Sequence, residues 1–315
     1  MPLDMQQSWY RYHHLFGELL QMRLRQRFPE MTDELHLRAS RWYAKRGAFE
    51  QAIDHALQTS TRDEALELLD KQAGMTLLTQ SKVRTYRRLV DQLPESRIQE
   101  YPMILVGRAW ADMLSMRTTD LEQDITRVQK ALNSPGCAYS PERRSRVKAF
   151  LQALEAYNLQ VSGQLKQAID LSRESVLSVP EELLLVRALL RYNMARAYMQ
   201  MGYIREPKEL LQAVQDALHI EQSPYLRVGV AGHIGYLEVQ DRGPVAAQER
   251  LEHALQGVRN QEMEQLPVVS YLHRPLGYAK YLANDIDGAQ EHLTHAVELR
   301  GVPDRVGRNS GYQMV

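Results

Sequence analysis

Apolar and small positions along Gln152–Pro180, QALEAYNLQVSGQLKQAIDLSRESVLSVP, recur with a helical period that is interrupted once, which predicts two helices joined by a tight turn. Ala156 stands where the two helices must approach closely. Gly163 ends the first helix where a left-handed residue is needed, Leu165 and Ala168 re-enter the core on the second, and Pro180 stops the unit. The same order recurs upstream, where Tyr43, Gly47, Phe49, Ala52 and Ala56 keep the mutual offsets of Leu159, Gly163, Leu165, Ala168 and Ser172. Downstream it recurs as Ala195, Tyr198, Gly202 and Ile204, then Gly243, Ala247, Leu251 and Ala254, then Leu276, Gly277, Ile286, Ala289, Leu293 and Ala296.

Small and large residues in this order match the tetratricopeptide pattern, and a hairpin that buries its apolar face only against neighbours demands further copies. Turns near 163, 202, 242 and 284 are about 40 residues apart, so each unit is longer than the minimal repeat by about a helical turn. Pro207 replaces an expected small residue, and Pro244 sits at a turn where Gly243 is shifted by one. Between these copies, Thr61–Glu64 has capping-box spacing and opens a helix, the turn near Ser81 lacks glycine, and Leu93–Pro94 closes the second unit. A third unit runs from Pro102 to Asn133, with Ala109, Trp110, Ala111 and Leu114 facing Leu121, Ile125, Val128 and Leu132. Asn133–Ser140 is a loop where the superhelix has room to bend, and Ser140-Pro141-Glu142 reads as an N-cap, an N1 proline and an acidic first turn. The run Arg143, Arg144, Arg146 and Lys148 reads as a solvated face rather than a docking patch.

At the N-terminus, Trp9–Phe16 is rich in aromatic residues and predicts a short strand. A basic helix follows from about Leu15 to Arg27, with Leu15, Leu19, Met22 and Leu24 as its apolar side, and Phe28-Pro29 ends it. Thr32 is the expected N-cap of a helix running to about Lys45. The tail 301–315 has no apolar periodicity, so the last repeat reads as uncapped. The expected fold is all-α: a junction segment at 1–30, then a tetratricopeptide-like superhelix of about seven helical hairpins over 31–315, with the bend at 133–146.

Composition narrows the function. Lys+Arg and Asp+Glu are equal at 39 each, so no net field draws nucleic acid or an anionic membrane. The single Cys137 excludes an intramolecular disulfide framework and a cysteine-based zinc site, which fits a reducing, cytoplasmic setting. There is neither an apolar run long enough to span a bilayer nor a signal-peptide pattern at the start.

Trp9 to Leu57, WYRYHHLFGELLQMRLRQRFPEMTDELHLRASRWYAKRGAFEQAIDHAL, resembles the junction segment of MalT-type regulators, the large ATP-binding regulators of the LuxR class, with Trp9 to Phe16 matching continuously. In that family this segment joins the end of a winged-helix part of a STAND-type ATPase module to an array of helical repeats. The resemblance implies an effector-sensing module of an ATP-dependent transcriptional regulator. Its ATPase and helix-turn-helix modules would lie elsewhere in a full-length relative: these residues hold no G-x-x-x-x-G-K-[ST], so no cofactor is expected here and ATP only in such a relative.

No nucleophile, base and orienter form a set, so an enzyme is not expected. His13-His14 reads as junction packing. His292 and His295 are a helical turn apart without the HExxH order, while His219, His253 and His273 read as isolated. In tetratricopeptide arrays the first helix of each unit lines the concave groove. Counting in phase from each turn puts Tyr157, Arg196, Tyr236 and Tyr278 there, with Tyr192 and Arg274 a turn earlier and Gln160, Gln200, Gln240 and Tyr281 a turn later. Tyrosine and arginine with amide neighbours offer flat faces, donors and acceptors to a polar small molecule, including a sugar-like effector. The alternative is a scaffold whose groove holds a peptide or partner helix, or a regulatory protein. Direct nucleic-acid binding and membrane association are not expected.

Overall fold

A computed structural model describes residues 14–218, 223–259 and 263–300. Among these residues all regular structure is helical. Helix α1 (His14–Arg27) leads into α2 (Pro29–Ala44) and α3 (Phe49–Ala56). The second hairpin pairs an interrupted first limb, α4 (Asp63–Leu68), a π-helical segment Leu69–Ala73 and α5 (Gly74–Thr79), with α6 (Val83–Val90). After the single turn α7 (Glu95–Ile98) come α8 (Pro102–Leu114) and α9 (Leu121–Asn133), then α10 (Pro141–Val161) and α11 (Leu165–Ser178). The last three pairs are α12 (Leu184–Gln200) with α13 (Arg205–Leu218), α14 (Pro224–Arg242) with α15 (Pro244–Arg259), and α16 (Ser270–Leu282) with α17 (Ile286–Arg300). A 3-10 turn, Pro267–Val269, precedes α16.

The hairpin turns show why the pattern was readable. Gly47, Gly163 and Gly202 all have positive φ, and where glycine is missing the chain still takes this conformation, at Ser81, Met116 and Asn284. Gly243 differs for a physical reason. Pro244 begins α15 and excludes the helical region for the residue before it, so Gly243 takes φ 90 and ψ 173, a combination open essentially to glycine alone. First helices of 21, 17 and 19 residues (α10, α12 and α14) account for a period longer than the minimal repeat.

Packing follows the same phase. Ala156 is fully buried at the approach of the helices, as are Ala52, Ala109, Ala168, Ala195 and Ala247. One apolar cluster runs from Ile53 to Leu237, and a second, from Val228 to Leu299, continues it through the last two hairpins. Side chains also tie successive hairpins together: Asn193 Nδ2 donates to the Ala153 carbonyl at 3.1 Å, and the buried Tyr86 hydroxyl donates to the Ile104 carbonyl at 3.0 Å.

Several local expectations are corrected. His14, Leu15 and Phe16 are helical rather than extended, and Trp9–His13 lie outside the described residues, as does the tail 301–315. Leu15, Leu19 and Met22, the expected apolar side of α1, are exposed. Thr32 does not cap α2, because Pro29, with its preset φ, starts that helix a turn earlier. The capping box at Thr61 does not form: Arg62 takes a left-handed φ of 58 and α4 begins at Asp63, with Thr59 Oγ1 accepting from the Arg62 N–H at 3.2 Å.

Ser140 caps α10 as expected, accepting from the Arg143 N–H. The arginines that follow it are not simply solvated. Arg144 donates to the Leu132 carbonyl in the last turn of α9 at 2.6 Å and to two carbonyls of the loop that follows, Cys137 at 2.7 Å and Tyr139 at 3.2 Å. Arg143 pairs with Asp70, whose side chain is only 2% exposed, and stacks 4.1 Å from the Tyr139 ring. Tyr139 donates its hydroxyl to the same carboxylate and accepts from the Met103 N–H. This group joins the π-helical segment to the start of α10, across the third hairpin. Burial raises the Asp70 pKa above the ordinary carboxylate value, with Tyr139 and Arg143 acting against it.

Candidate functional site

The first helices of successive hairpins converge on one cavity of about 50 Å³. Its walls come from the end of α5, the end of α8, and from α10, α12, α14 and α16. Trp110, Leu114, Leu185 and Leu189 supply apolar surface, and among the described residues no acidic side chain lines it. Tyr225, in the first turn of α14, donates its hydroxyl to the Leu114 carbonyl at 2.6 Å, which ties the sixth hairpin back to the third.

Arg196 of α12 is the polar centre. Its guanidinium carbon lies 5.4 Å from the Tyr157 ring, 5.7 Å from the Tyr192 ring and 5.6 Å from the Tyr271 ring, and Nη2 donates to the Tyr271 hydroxyl at 3.3 Å. Tyr192 and Arg196 share a face because they are four residues apart on one helix. Glycines on α14 let the neighbouring elements close around them. A Cβ at Gly229 would fall 2.5 Å from the Tyr192 hydroxyl, and one at Gly232 would fall 2.2 Å from the Tyr271 carbonyl oxygen. His233 stands behind the wall, with Nδ1 2.7 Å from the Gly229 carbonyl and 3.1 Å from the Tyr192 hydroxyl. Its ring lies 4.7 Å from that of Tyr271. A carbonyl only accepts, so Nδ1 carries the proton.

The electrostatics are those of a positive site sheltered from water. Burial opposes the Arg196 charge, but the oxygens of Tyr271, Tyr192, Tyr157 and Tyr225 outweigh it and the guanidinium pKa is raised. Burial pushes the Tyr157 hydroxyl up to about 12, and it also raises the Tyr192 and Tyr225 hydroxyls well above the ordinary tyrosine value. Tyr271 moves the other way: burial acts to raise it, but the charges of Arg196, Arg300 and Arg274 prevail and hold it below the usual tyrosine value. Burial, reinforced by the Arg196 charge, lowers His233 to about 3, so its imidazole is neutral.

Of the expected groove residues, Tyr157, Tyr192 and Arg196 meet in this cavity. Tyr236, Gln240, Arg274 and Tyr278 form a neighbouring group: Gln240 Nε2 donates to the Tyr236 hydroxyl at 3.0 Å, while Tyr278 and Arg274 lie within electrostatic reach of Tyr236. Gln200 and Tyr281 do not line the cavity, and Tyr281 is 58% exposed. Gln160 is fully buried with neither amide atom hydrogen-bonded, so it faces the packing between helices rather than the groove. Counting one turn to either side missed Tyr225, Tyr271 and His233. The signal was present, since Tyr271, Arg274 and Tyr278 are spaced i, i+3 and i+7, a single helix stripe.

His273 is not isolated. It is buried, with Nδ1 2.8 Å from Nδ1 of His292 and its ring 4.6 Å from that of His295. Among the described residues no group of three His, Cys, Asp or Glu has the arrangement to hold a metal. Burial, with the charges of His295, His292 and Arg259, lowers His273 to about 4, and burial also lowers His292. Between pH 6.5 and about 4 the unfolded chain takes up a proton at His273 that the folded chain refuses, so stability falls as the pH drops through that window. The full shift amounts to roughly 3 kcal/mol. Urea unfolding midpoints measured from pH 7.5 to 4.5 are expected to decline, and His273→Leu to flatten the decline.

Comparison with known proteins places this architecture. A family model described as the MalT winged helix domain matches residues 1–32. The HTH-type transcriptional regulator MalT of Vibrio parahaemolyticus is 24% identical over 311 residues, covering 95% of this chain and 32% of that protein. The MalT of Vibrio campbellii is 32% identical over 109 residues, covering 35% of this chain and 12% of that protein. The chain is related to the MalT-type regulators. The serine/threonine-protein kinase PknK of Mycobacterium tuberculosis is also similar, 27% identical over 216 residues, which cover 65% of this chain and 19% of the kinase. The chain thus spans about a third or less of the length of the curated relatives it matches. Among the described residues no helix is long and apolar enough to cross a membrane.

Proposed function

We propose that these residues form the effector-sensing module of a MalT-like, ATP-dependent transcriptional regulator of STAND type, and that the cavity around Arg196 receives a small molecule. The observation that carries this reading is the convergence of Tyr157, Tyr192, Arg196, Tyr225 and Tyr271 on one apolar-floored cavity, the usual make-up of a small-molecule site. In this reading the winged-helix part ends near residue 30, the tetratricopeptide-like repeats begin at 31, and the ATPase and DNA-binding modules belong to a longer cytoplasmic protein. A region shared by proteins named as a transcriptional regulator and as a kinase supports assigning it to input rather than to either output. The cavity's size favours a small molecule over the peptide or partner helix of a scaffold.

Ligand in the cavity would bridge the third to the seventh hairpins, whose first helices all contribute to its wall. It shifts the state of the array only by binding one arrangement of those hairpins better than another. Trp110 lines the cavity and offers the test. In a Trp9→Phe, Trp42→Phe chain it is the remaining indole of three, and its emission is expected to change saturably with one or more members of a metabolite library. A flat response to the whole library from a folded chain would argue against the proposal.

A further inference from the structure

The charge balance of the cavity says more about its ligand than its shape does. Several partly buried guanidinium groups in this protein are matched by carboxylates: Arg87 by Asp112, Arg88 by Glu50 and Asp54, Arg97 by Asp63, Arg143 by Asp70, and Arg250 by Glu238. Arg196 is the exception inside a cavity. Among the described residues no carboxylate pairs with it, no acidic side chain lines the space, and its N–H donors meet the oxygens of Tyr271 and Tyr157. Arg196 is half-buried, and a cation partly withdrawn from water without a counter-charge is costly, with aromatic faces offsetting only part of that cost. Two further guanidinium groups add to the positive potential: the Arg300 guanidinium carbon stands 5.5 Å from the Tyr271 ring, and the charge of Arg274 also reaches Tyr271.

We propose that this cavity binds the oxyanion head group of a small metabolite, a phosphate or a carboxylate, on Arg196 and the hydroxyls of Tyr271, Tyr157 and Tyr192. The inference rests on the effector-site reading above and makes it specific. Arg196 supplies the planar fork that pairs with two oxygens at once, and the tyrosines donate to the remaining lone pairs. The volume supports the division of the ligand. About 50 Å³ holds a few water-sized sites, room for one oxyanion, so the body of a larger metabolite would extend beyond the cavity. A neutral sugar, suggested by the tyrosines alone, would leave the Arg196 charge unmatched.

The test is calorimetric titration of the whole chain with inorganic phosphate, glycerol 3-phosphate and citrate, each set against glycerol and glucose. Anions are expected to bind and the neutral compounds not to, and the ranking of the phosphates against citrate separates a phosphate head group from a carboxylate. In Arg196→Met, anion affinity is expected to fall by roughly tenfold or more. Arg196→Lys, which keeps the charge but not the fork, should retain weakened binding, and it preserves the test if the methionine variant does not fold. Equal or better binding of a neutral compound, or unchanged anion affinity in Arg196→Met, overturns the anionic assignment while leaving a ligand site in place. If neither the anions nor any member of a neutral metabolite library binds, the effector-site reading falls with it.

Discussion

Replacing Arg143 by alanine is expected to destabilise the protein by about 1–3 kcal/mol, the cost of leaving a buried hydrogen-bonding group short of a partner. The Asp70 side chain is 2% exposed, and without Arg143 its carboxylate keeps the Tyr139 hydroxyl and the Met103 N–H but no cation. Its pKa is already raised by burial, and losing the cation raises it further. A carboxyl whose folded pKa lies above its unfolded value favours folding when protonated. The deficit of Arg143→Ala is therefore largest near neutral pH and shrinks as the pH falls toward and below the ordinary carboxylate range. Urea unfolding at two pH values checks both magnitude and sign. The double variant Asp70→Asn, Arg143→Met, which removes both charges together, should recover much of the loss. A single alanine variant as stable as wild type would mean that the pair contributes nothing to holding the second hairpin on the fourth.

Gly232→Ala is the second large effect, and it acts on the site itself. The added Cβ would stand 2.2 Å from the Tyr271 carbonyl oxygen and 2.6 Å from its carbonyl carbon. Backbone atoms cannot swing aside as a long side chain can, so α14 and α16 must separate. Overpacking of this kind costs about 1–3 kcal/mol, sometimes more. Because Tyr271 forms part of the cavity wall, its displacement should weaken ligand binding as well. Gly257→Ala is the control: it lies in α15 with nothing within 4 Å of the new Cβ, so helix propensity should make it stabilising by up to about 1 kcal/mol. Opposite signs for two glycine-to-alanine changes in adjacent helices would separate packing from propensity. Loss of stability in both would contradict that separation.

These two sites also mark where the sequence was readable and where it was not. Hairpins were legible because their information is local: a helical stripe, a small residue at the crossing and a left-handed turn lie within a few residues of one another. Ser140-Pro141 announced α10 for the same reason. The Asp70–Arg143 pair had no such signature, since 73 residues separate its members and Arg143 stands in a run of basic residues that resembles any solvated face. The π-helical segment that carries Asp70 gave no warning either, because its apolar positions continue those of α4. Thr32 was misread because two local signals competed and Pro29, the earlier, prevailed. In the cavity, phase counting found Tyr157, Tyr192 and Arg196 but not Tyr225 or Tyr271, which arrive through superhelical winding. Gln160 shows the limit of the method: one turn beyond Tyr157 on α10, its side chain is buried between helices.

The most direct measurement is thermal unfolding of wild type and Arg196→Met in parallel, each scanned against the same metabolite library. A ligand at about 100 times its dissociation constant adds roughly 2.7 kcal/mol to the folded state, which is readily seen as a higher midpoint. The predicted result is a concentration-dependent rise in wild type that disappears or is sharply reduced in Arg196→Met while both chains unfold cooperatively. An equal rise in the two proteins would put the ligand elsewhere, and no rise from any compound in a folded wild type would contradict the assignment of this cavity as a sensor.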